Sequence, residues 1–549
     1  MKTRVLTNVF NGNRLQLRRD QLSAVIPLGA RPPSHSVPDR LPIPKTVIPP
    51  GTLNSVTTMR KESVLWGRWQ GRGAELLGLS GDVKTEQFEA LRQGCGPNTG
   101  EFLRQRQSVD RMATDGTTQS RGNLYDFTIS APKSVSIMAS LGKDDRLIEA
   151  HWNAVDETVK ELEACAQTRV RQDGANEDRD TSNLVLAVYQ HDTSLELDPQ
   201  LHTHVAANLT YDGTEGRWKA LQASEIYERR AYLTEVYRNA LAREVRSLGY
   251  QIEDRHDARG RDLGCEIQGI SEKLLQAFSR RSEQRNQAIA EFVKQSGRQP
   301  SDNEVAIIVR ESRADKQIEM STEEVRIQQR ARLTPQDKLT LSQLREAALG
   351  CSETLETERL SAADSLEYAQ QHIFERVSVA RVDELLAEAL RHCRGRIGLG
   401  ELKGYLVLQE SAGTVLRAGH EVATRASLDR EQEMVARINR GLGRFERLGG
   451  KSDFIASDRL RPEQKQVVQF LLHSHDLAVN LRGAGGTGKT ATLQELHRGL
   501  REAGRRVRVV RPAYEVGAVW PKATCFPRAA RTAWGAPLRL SRTHAPARA

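Results

Sequence analysis

Short apolar, β-branched runs alternate with longer stretches of helical spacing, so the chain reads as α/β. Three runs carry a strand pattern: residues 124–129, 184–190 and 204–209. Between the second and third lies Asp192-Thr193-Ser194-Leu195-Glu196-Leu197-Asp198-Pro199, a polar stretch that predicts a hairpin loop. Helical spacing covers 83–93, 147–167, 224–248 and 277–294, and Pro132-Lys133-Ser134 opens a further helix. From 336 to 448 the pattern is helical, with elements at 339–349, 362–376, 382–392 and 428–439. Near the start, the Gly-rich stretch 66–79 predicts a turn feeding a short amphipathic helix, and 104–121 a basic solvent loop. Near the end, strands are predicted at 477–481 and 507–510, flanking a helix over 491–502.

The strand pattern decides where three histidines go. Side chains alternate across a strand, so His202 and His204 share a face. The hairpin folds His191 onto that face from the neighbouring strand. Three of the chain's 13 histidines fall within 14 residues here. Three imidazoles converging from adjacent strands make a facial nitrogen set with open positions, as catalytic metals require. On the first strand, Asp126, Thr128 and Ser130 also share a face. A second H-x-H, His473 and His475, has no third histidine at matching distance and reads as solvated loop.

Composition sharpens the picture. A chain of 549 residues expects three or four domains, and its net charge of +10 suits a polyanionic partner. The predicted helix 224–248 interleaves Tyr227, Tyr232 and Tyr237 with Arg229, Arg230, Arg238, Arg243 and Arg246. Two readings stay open there. Basic and aromatic residues together suit single-stranded DNA, whereas the same spacing serves a core face with solvated arginines. Six scattered cysteines without a C-x-x-C indicate neither a disulfide framework nor a cysteine metal site. No apolar run reaches membrane length and residues 1–20 lack a signal-peptide core, so the chain reads as cytoplasmic with no membrane insertion. Residues 27–50 are proline-rich and read as disordered or extended.

A second candidate site lies near the end. Gly483-Ala484-Gly485-Gly486-Thr487-Gly488-Lys489-Thr490 is a complete Walker A sequence. Its backbone amides, at Gly483, Gly485 and Gly488 among others, would cradle phosphates; Lys489 would reach the terminal ones and Thr490 would hold Mg²⁺, which implies ATP. However, no aspartate follows Asp476 and the last acid is Glu515. A P-loop NTPase needs a further acid on another strand, and so short a fragment cannot bury a parallel sheet. ATPase and helicase activity are not expected. The Arg-, Pro- and Ala-rich tail reads as a lost reading frame.

The phrase Tyr125-Asp126-Phe127-Thr128-Ile129-Ser130-Ala131-Pro132-Lys133-Ser134, followed by His191 and Gln200-Leu201-His202-Thr203-His204, resembles the TrwC/TraI-type (MobF class) conjugative relaxases. The resemblance runs over roughly 61–335, and 66–79 resembles the segment that follows the family's nucleophilic tyrosines. Leu460-Arg461-Pro462-Glu463-Gln464 resembles the adenine-reading segment of superfamily 1 helicases, which places Gln464 with the nucleotide. The resemblance implies an HUH-type fold, an antiparallel sheet with flanking helices. It implies a divalent metal (Mg, Mn or Zn) at His191, His202 and His204, with Asp126 assisting proton removal from a tyrosine. It further implies single-stranded DNA at an origin of transfer as partner, nicked through a phosphotyrosine, and other transfer-machinery proteins. Ser279-Arg280-Arg281-Ser282 and the stretch 312–316 resemble DNA-handling segments.

One departure is consequential. No tyrosine precedes Tyr125, so the family's nucleophile is missing and residues 1–60 read as a replaced, non-native start. The expected organisation is therefore a Pro-rich segment (1–60), a relaxase domain (61–335), a helical linker (336–455), a truncated P-loop helicase fragment (456–511) and a basic tail (512–549). Three readings follow: an active relaxase using another tyrosine, a catalytically dead metal- and DNA-binding module, or a remnant that folds in part.

Overall fold

The computed structural model describes residues 66–103, 111–112, 118–119, 124–172, 174–194, 196–257, 260–301, 304–305, 307–308, 322–350, 360–450, 454–481 and 487–507. These fall into two compact units, one ending at Arg425 and the other beginning at Ala426.

The first unit opens with β1 (Trp66–Gln70), α1 (Arg72–Leu76) and α2 (Thr85–Gln93). The small hairpin β2 (Arg111–Met112) and β3 (Thr118–Gln119) follows, then β4 (Tyr125–Ser130), α3 (Lys133–Ser140) and α4 (Arg146–Ala164). Next come β5 (Gln167–Gln172), β6 (Ala175–Asp180), β7 (Leu186–Thr193), β8 (Pro199–Ala207), β9 (Leu209–Asp212) and β10 (Arg217–Gln222). Helices α5 (Ser224–Glu228) and α6 (Arg230–Ser247), hairpin β11 (Ile252–His256) and β12 (Asp262–Ile267), and helices α7 (Glu272–Ala277) and α8 (Arg280–Ser296) continue the chain. After these stand α9 (Thr322–Ala331), α10 (Pro335–Gly350), α11 (Ala362–Phe374), β13 (Ala380–Arg381), α12 (Val382–His392), α13 (Leu399–Ser411), β14 (Val415–Ala418) and β15 (Glu421–Thr424).

The sheet that positions the histidines has the order β1-β7-β8-β4, all antiparallel. Both of its faces are covered along much of their length, so β7 opens with four consecutive buried residues. On one face Leu186, Val188, Leu201, Val205 and Ala207 join the large core shared with α3, α4 and α6. On the other, Trp69, Ala187, Tyr189 and Ala206 pack with Phe88 and Leu91 of α2. That second face turns polar where β7 and β8 reach the histidines. A second sheet, β6-β5-β10-β9, flanks the first.

Several sequence expectations change. Residues 66–70 form a strand rather than a turn, because each residue has a ladder partner on β7. The glycines there serve close packing: a Cβ on Gly67 would stand 2.6 Å from the Tyr189 ring, and one on Gly73 would stand 2.6 Å from the Leu184 carbonyl. The histidine hairpin is longer than its apolar runs suggest, since ladder bonds extend to the pair Thr193 and Pro199. Strands β5 and β6 were not legible, because β6 is almost entirely exposed and polar. The helix over 224–248 is broken at Arg229 into α5 and α6. Of the expected loop over 104–121, only the paired ends 111–112 and 118–119 are described. Residues 508–510 of the expected strand 507–510 and the stretch 312–316 lie outside the described residues.

Helices α11 to α13 do not stand apart from the relaxase-like core. Leu366, Leu386, Leu390 and Leu402 belong to the same apolar cluster as α4 and α6. The buried Arg394 guanidinium binds Glu235 of α6 and Asp262 of β12 at 2.9 and 2.7 Å. Sheet β13-β15-β14 completes this region; it and α13 escaped the periodicity reading.

The second unit contains α14 (Arg425–Arg440), α15 (Pro462–His473) and α16 (Lys489–Glu502), whose last two helices pack through Val468, Leu471, Leu472, Leu496 and Leu500. Residues 477–481 are not a strand. A parallel strand needs ladder neighbours, and among the described residues none is present to pair with it. No helix of the described residues is long and apolar enough to cross a membrane.

Candidate metal centre

Pairing of β7 with β8 sets His191 directly opposite His202, and pairing of β8 with β4 sets Thr128 opposite His204. Alternation keeps His202 and His204 half-exposed while Leu201, Thr203 and Val205 are buried on the far face. The three imidazoles form a near-equilateral triangle, with ring centroids 5.1 Å (His191 to His202), 5.2 Å (His191 to His204) and 5.1 Å (His202 to His204) apart. Asp126, one diagonal step along β4, brings its Oδ2 to 2.8 Å from Nδ1 of His204.

These contacts decide which nitrogens are free. His204 Nδ1–H donates to Asp126, and His202 Nδ1–H donates to the Gln200 carbonyl at 2.8 Å. Both rings therefore carry their lone pair on Nε2. The buried Nε2 of His191 has no hydrogen-bond partner, and neither does Oδ1 of Asp126. Burial, reinforced by the neighbouring imidazoles, pushes His191 down to about 3. Burial likewise takes His202 down to about 4, against the pull of its bond to Gln200. Neutral imidazole is the form that binds a metal.

The donor set fits a divalent cation. A ring bound at ~2.1 Å places its centroid roughly 3.2 Å from the ion, so ligands near the tetrahedral angle have centroids about 5 Å apart. That is the observed spacing. Among the described residues no group of three such side chains is already arranged to hold a metal ion.

The hairpin tip is clamped by charge. Asp198 is buried, and its carboxylate accepts from the Arg280 backbone N–H and Nε, both at 3.0 Å, and from Arg332 at 2.6 Å. Lys133 Nζ donates to the Pro199 carbonyl at 2.9 Å and to Gln200 Oε1 at 2.8 Å. Lys133 thus holds the hairpin, and Arg280, in the segment that resembles a DNA-handling one, binds Asp198. Sequence reasoning missed Asp198 and Arg332, whose only signal was an acidic residue inside a turn.

The Arg/Tyr helix resolves towards structure. Tyr232 and Tyr237 are core residues. Arg229, Arg238 and Arg243 pair with Glu225, Glu235 and Glu157. Tyr227 and Arg230 instead border a cavity of about 470 Å³ beside β4, with Phe127 and Ile129.

At the P-loop, Gly483 and Gly485 lie outside the described residues. Gly488 adopts φ 79° at the N-cap of α16, which begins with Lys489 and Thr490. Gln464 donates from Nε2 to the Thr487 carbonyl at 3.1 Å, so α15 does meet the loop. His473 and His475 are exposed and donate to the Gln469 and Phe445 carbonyls. His473 ends α15 rather than lying in a loop, and His475 lies in the loop that follows.

Comparison with known proteins agrees with this arrangement. The TrwC relaxase family model matches residues 60–335, and an AAA domain model matches 459–524, where the helicase fragment lies. The multifunctional conjugation protein TraI of Escherichia coli strain K12 is 41% identical over 234 residues, which is 41% of this chain. A second Escherichia coli TraI is 40% identical over the same length. The chain spans 12% of the length of these relatives. Similar solved structures include the conjugative relaxase TrwC with oriT DNA in a copper-bound form, 36% identical, covering 49% of this chain and 86% of that one at a TM-score of 0.41. Another is TrwC with a 27-mer DNA comprising the recognition hairpin and the cleavage site, 37% identical, covering 48% and 90% at a TM-score of 0.41. The family match takes in half of the chain, including both strand phrases and all three histidines: the chain belongs to the TrwC relaxase family.

Proposed function

We propose that this chain is a relaxase-type module that binds single-stranded origin-of-transfer DNA against a divalent cation held by His191, His202 and His204. The observation that carries the reading is the gathering of those three rings and Asp126 on one face of one sheet. A divalent ion there would withdraw charge from a scissile phosphate. Asp126 holds His204 in the tautomer that presents Nε2, and its unpartnered Oδ1 can accept the proton of an attacking phenol. In the complete reaction the phenolate oxygen bonds to phosphorus as the 3′ oxygen leaves, and the 5′ end stays on the tyrosine.

Among the described residues no such phenol stands at the site. Tyr125 faces the opposite side of β4 and packs on the large core. Tyr189 shares the histidine face, yet it is buried edge-on to Phe88 and burial pushes its phenol well above the usual range. We therefore favour binding without covalent capture, the dead-relaxase reading. In this proposal the relaxase domain begins near residue 61, the helices beyond 335 brace it, and the P-loop fragment supplies no motor.

The test is a labelled single-stranded oligonucleotide carrying an origin-of-transfer hairpin and cleavage site, incubated with the full chain and Mn²⁺. Native gels should show a complex, and denaturing gels should show free DNA. A protease-sensitive shifted band on the denaturing gel would establish an active nucleophile and overturn the reading.

A further inference from the structure

The far side of the histidine strand holds a polar relay that the proposed chemistry leaves unused. Thr203 lies between His202 and His204 in β8 and is fully buried on the opposite face. Its hydroxyl stands 2.8 Å from Nε2 of His151, a residue of α4 with no solvent exposure. The other nitrogen of His151 stands 2.7 Å from the Tyr237 hydroxyl of α6, whose ring meets the imidazole edge-on. One strand and two helices are thus joined through a single imidazole.

We infer that His151, acting through Thr203, is a positioning residue for the candidate metal centre. Resting on the reading above, the argument is geometric. His202 and His204 are two residues apart, so the twist of the backbone at Thr203 fixes the angle between their rings. Helix α4 packs on β8 from beneath, and the Thr203–His151 bond is directional where apolar contact is not. A neutral ring has one donor and one acceptor, so one hydroxyl donates to His151 while the other accepts. The relay is complete on both nitrogens. Loss of either hydroxyl leaves a buried nitrogen unpaired and breaks the directional link between β8 and the helices beneath it. Two other tethers act on the same strand: Ser136 Oγ accepts from the Leu201 N–H at 3.0 Å, and Lys133 grips Pro199. Of these three tethers, the His151 bond is the one that reaches the residue between the two ligands.

The test is titration of the full chain with Co²⁺, read by visible absorption, for wild type, Thr203→Val, Thr203→Ser and Tyr237→Phe. Thr203→Val keeps the side-chain shape and removes the hydroxyl. It should weaken Co²⁺ binding by roughly 10-fold, the scale of an outer-shell loss, and change the ligand-field bands. Thr203→Ser should restore both the affinity and the spectrum. Tyr237→Phe, which breaks the far end of the relay, should shift the bands in the same direction and decides the matter if Thr203→Val fails to fold. A lower melting temperature with wild-type Co²⁺ affinity and spectrum in the folded variants would overturn the inference while leaving the metal centre standing. Absence of Co²⁺ binding by wild type would overturn both.

Discussion

Asp126 and His204 meet on adjacent strands, with Oδ2 of the carboxylate 2.8 Å from Nδ1 of the imidazole. The register makes Ala206 the direct partner of Asp126, so this contact is a diagonal one and depends on the twist of the pair. A carboxylate there locks the tautomer and orientation of the ligand ring. Asp126→Asn should therefore weaken divalent-metal binding by about 10- to 100-fold, the range for outer-shell partners. Calorimetry showing unchanged affinity would detach Asp126 from the centre.

Acid should destabilise the fold. His151 is pushed down to about 3 by burial, and His191 and His202 to about 3 and about 4. Below about 6.5 the unfolded chain takes up protons that the native state refuses, so stability is fully present above that pH. It is then lost as pH falls towards 4. Between pH 6.5 and 5.5 the fully buried His151 alone contributes a loss of ~1 kcal/mol. Melting temperatures measured across this range should fall steadily; a flat profile, or a gain on acidification, contradicts the burial described.

Nucleotide hydrolysis should be absent. Lys489 and Thr490 begin α16 as a P-loop requires, and Gln464 reaches the loop. The parallel sheet that would supply the second acid has no strand among the described residues of this unit. A phosphate-release assay with single-stranded DNA should read background for wild type. DNA-stimulated hydrolysis that disappears in Lys489→Ala would show a working motor.

Much of this was legible from spacing. His202 and His204 fell on one face because strand alternation is rigid, and the hairpin brought in His191 as the loop predicted. Helix α12 matched its pattern residue for residue because its apolar face is wide and uninterrupted. Other features were hidden for physical reasons. Strand β1 is rich in glycine and tryptophan, and its partner β7 lies more than a hundred residues away. The roles of Asp198, Lys133 and Arg280 depend on which distant backbone meets the hairpin tip, which local pattern does not encode. The Arg/Tyr helix left DNA contact and a core face both open in the sequence, and Arg229, Arg238 and Arg243 are paired within the fold.

The central claim is that the three histidines hold a divalent cation, and isothermal titration with Mn²⁺ tests it most directly. Wild type should bind one ion, His202→Ala should lose that binding, and His473→Ala, altering the exposed H-x-H, should bind as wild type does. Equal affinity in wild type and His202→Ala, or no binding by wild type at neutral pH, would contradict the account.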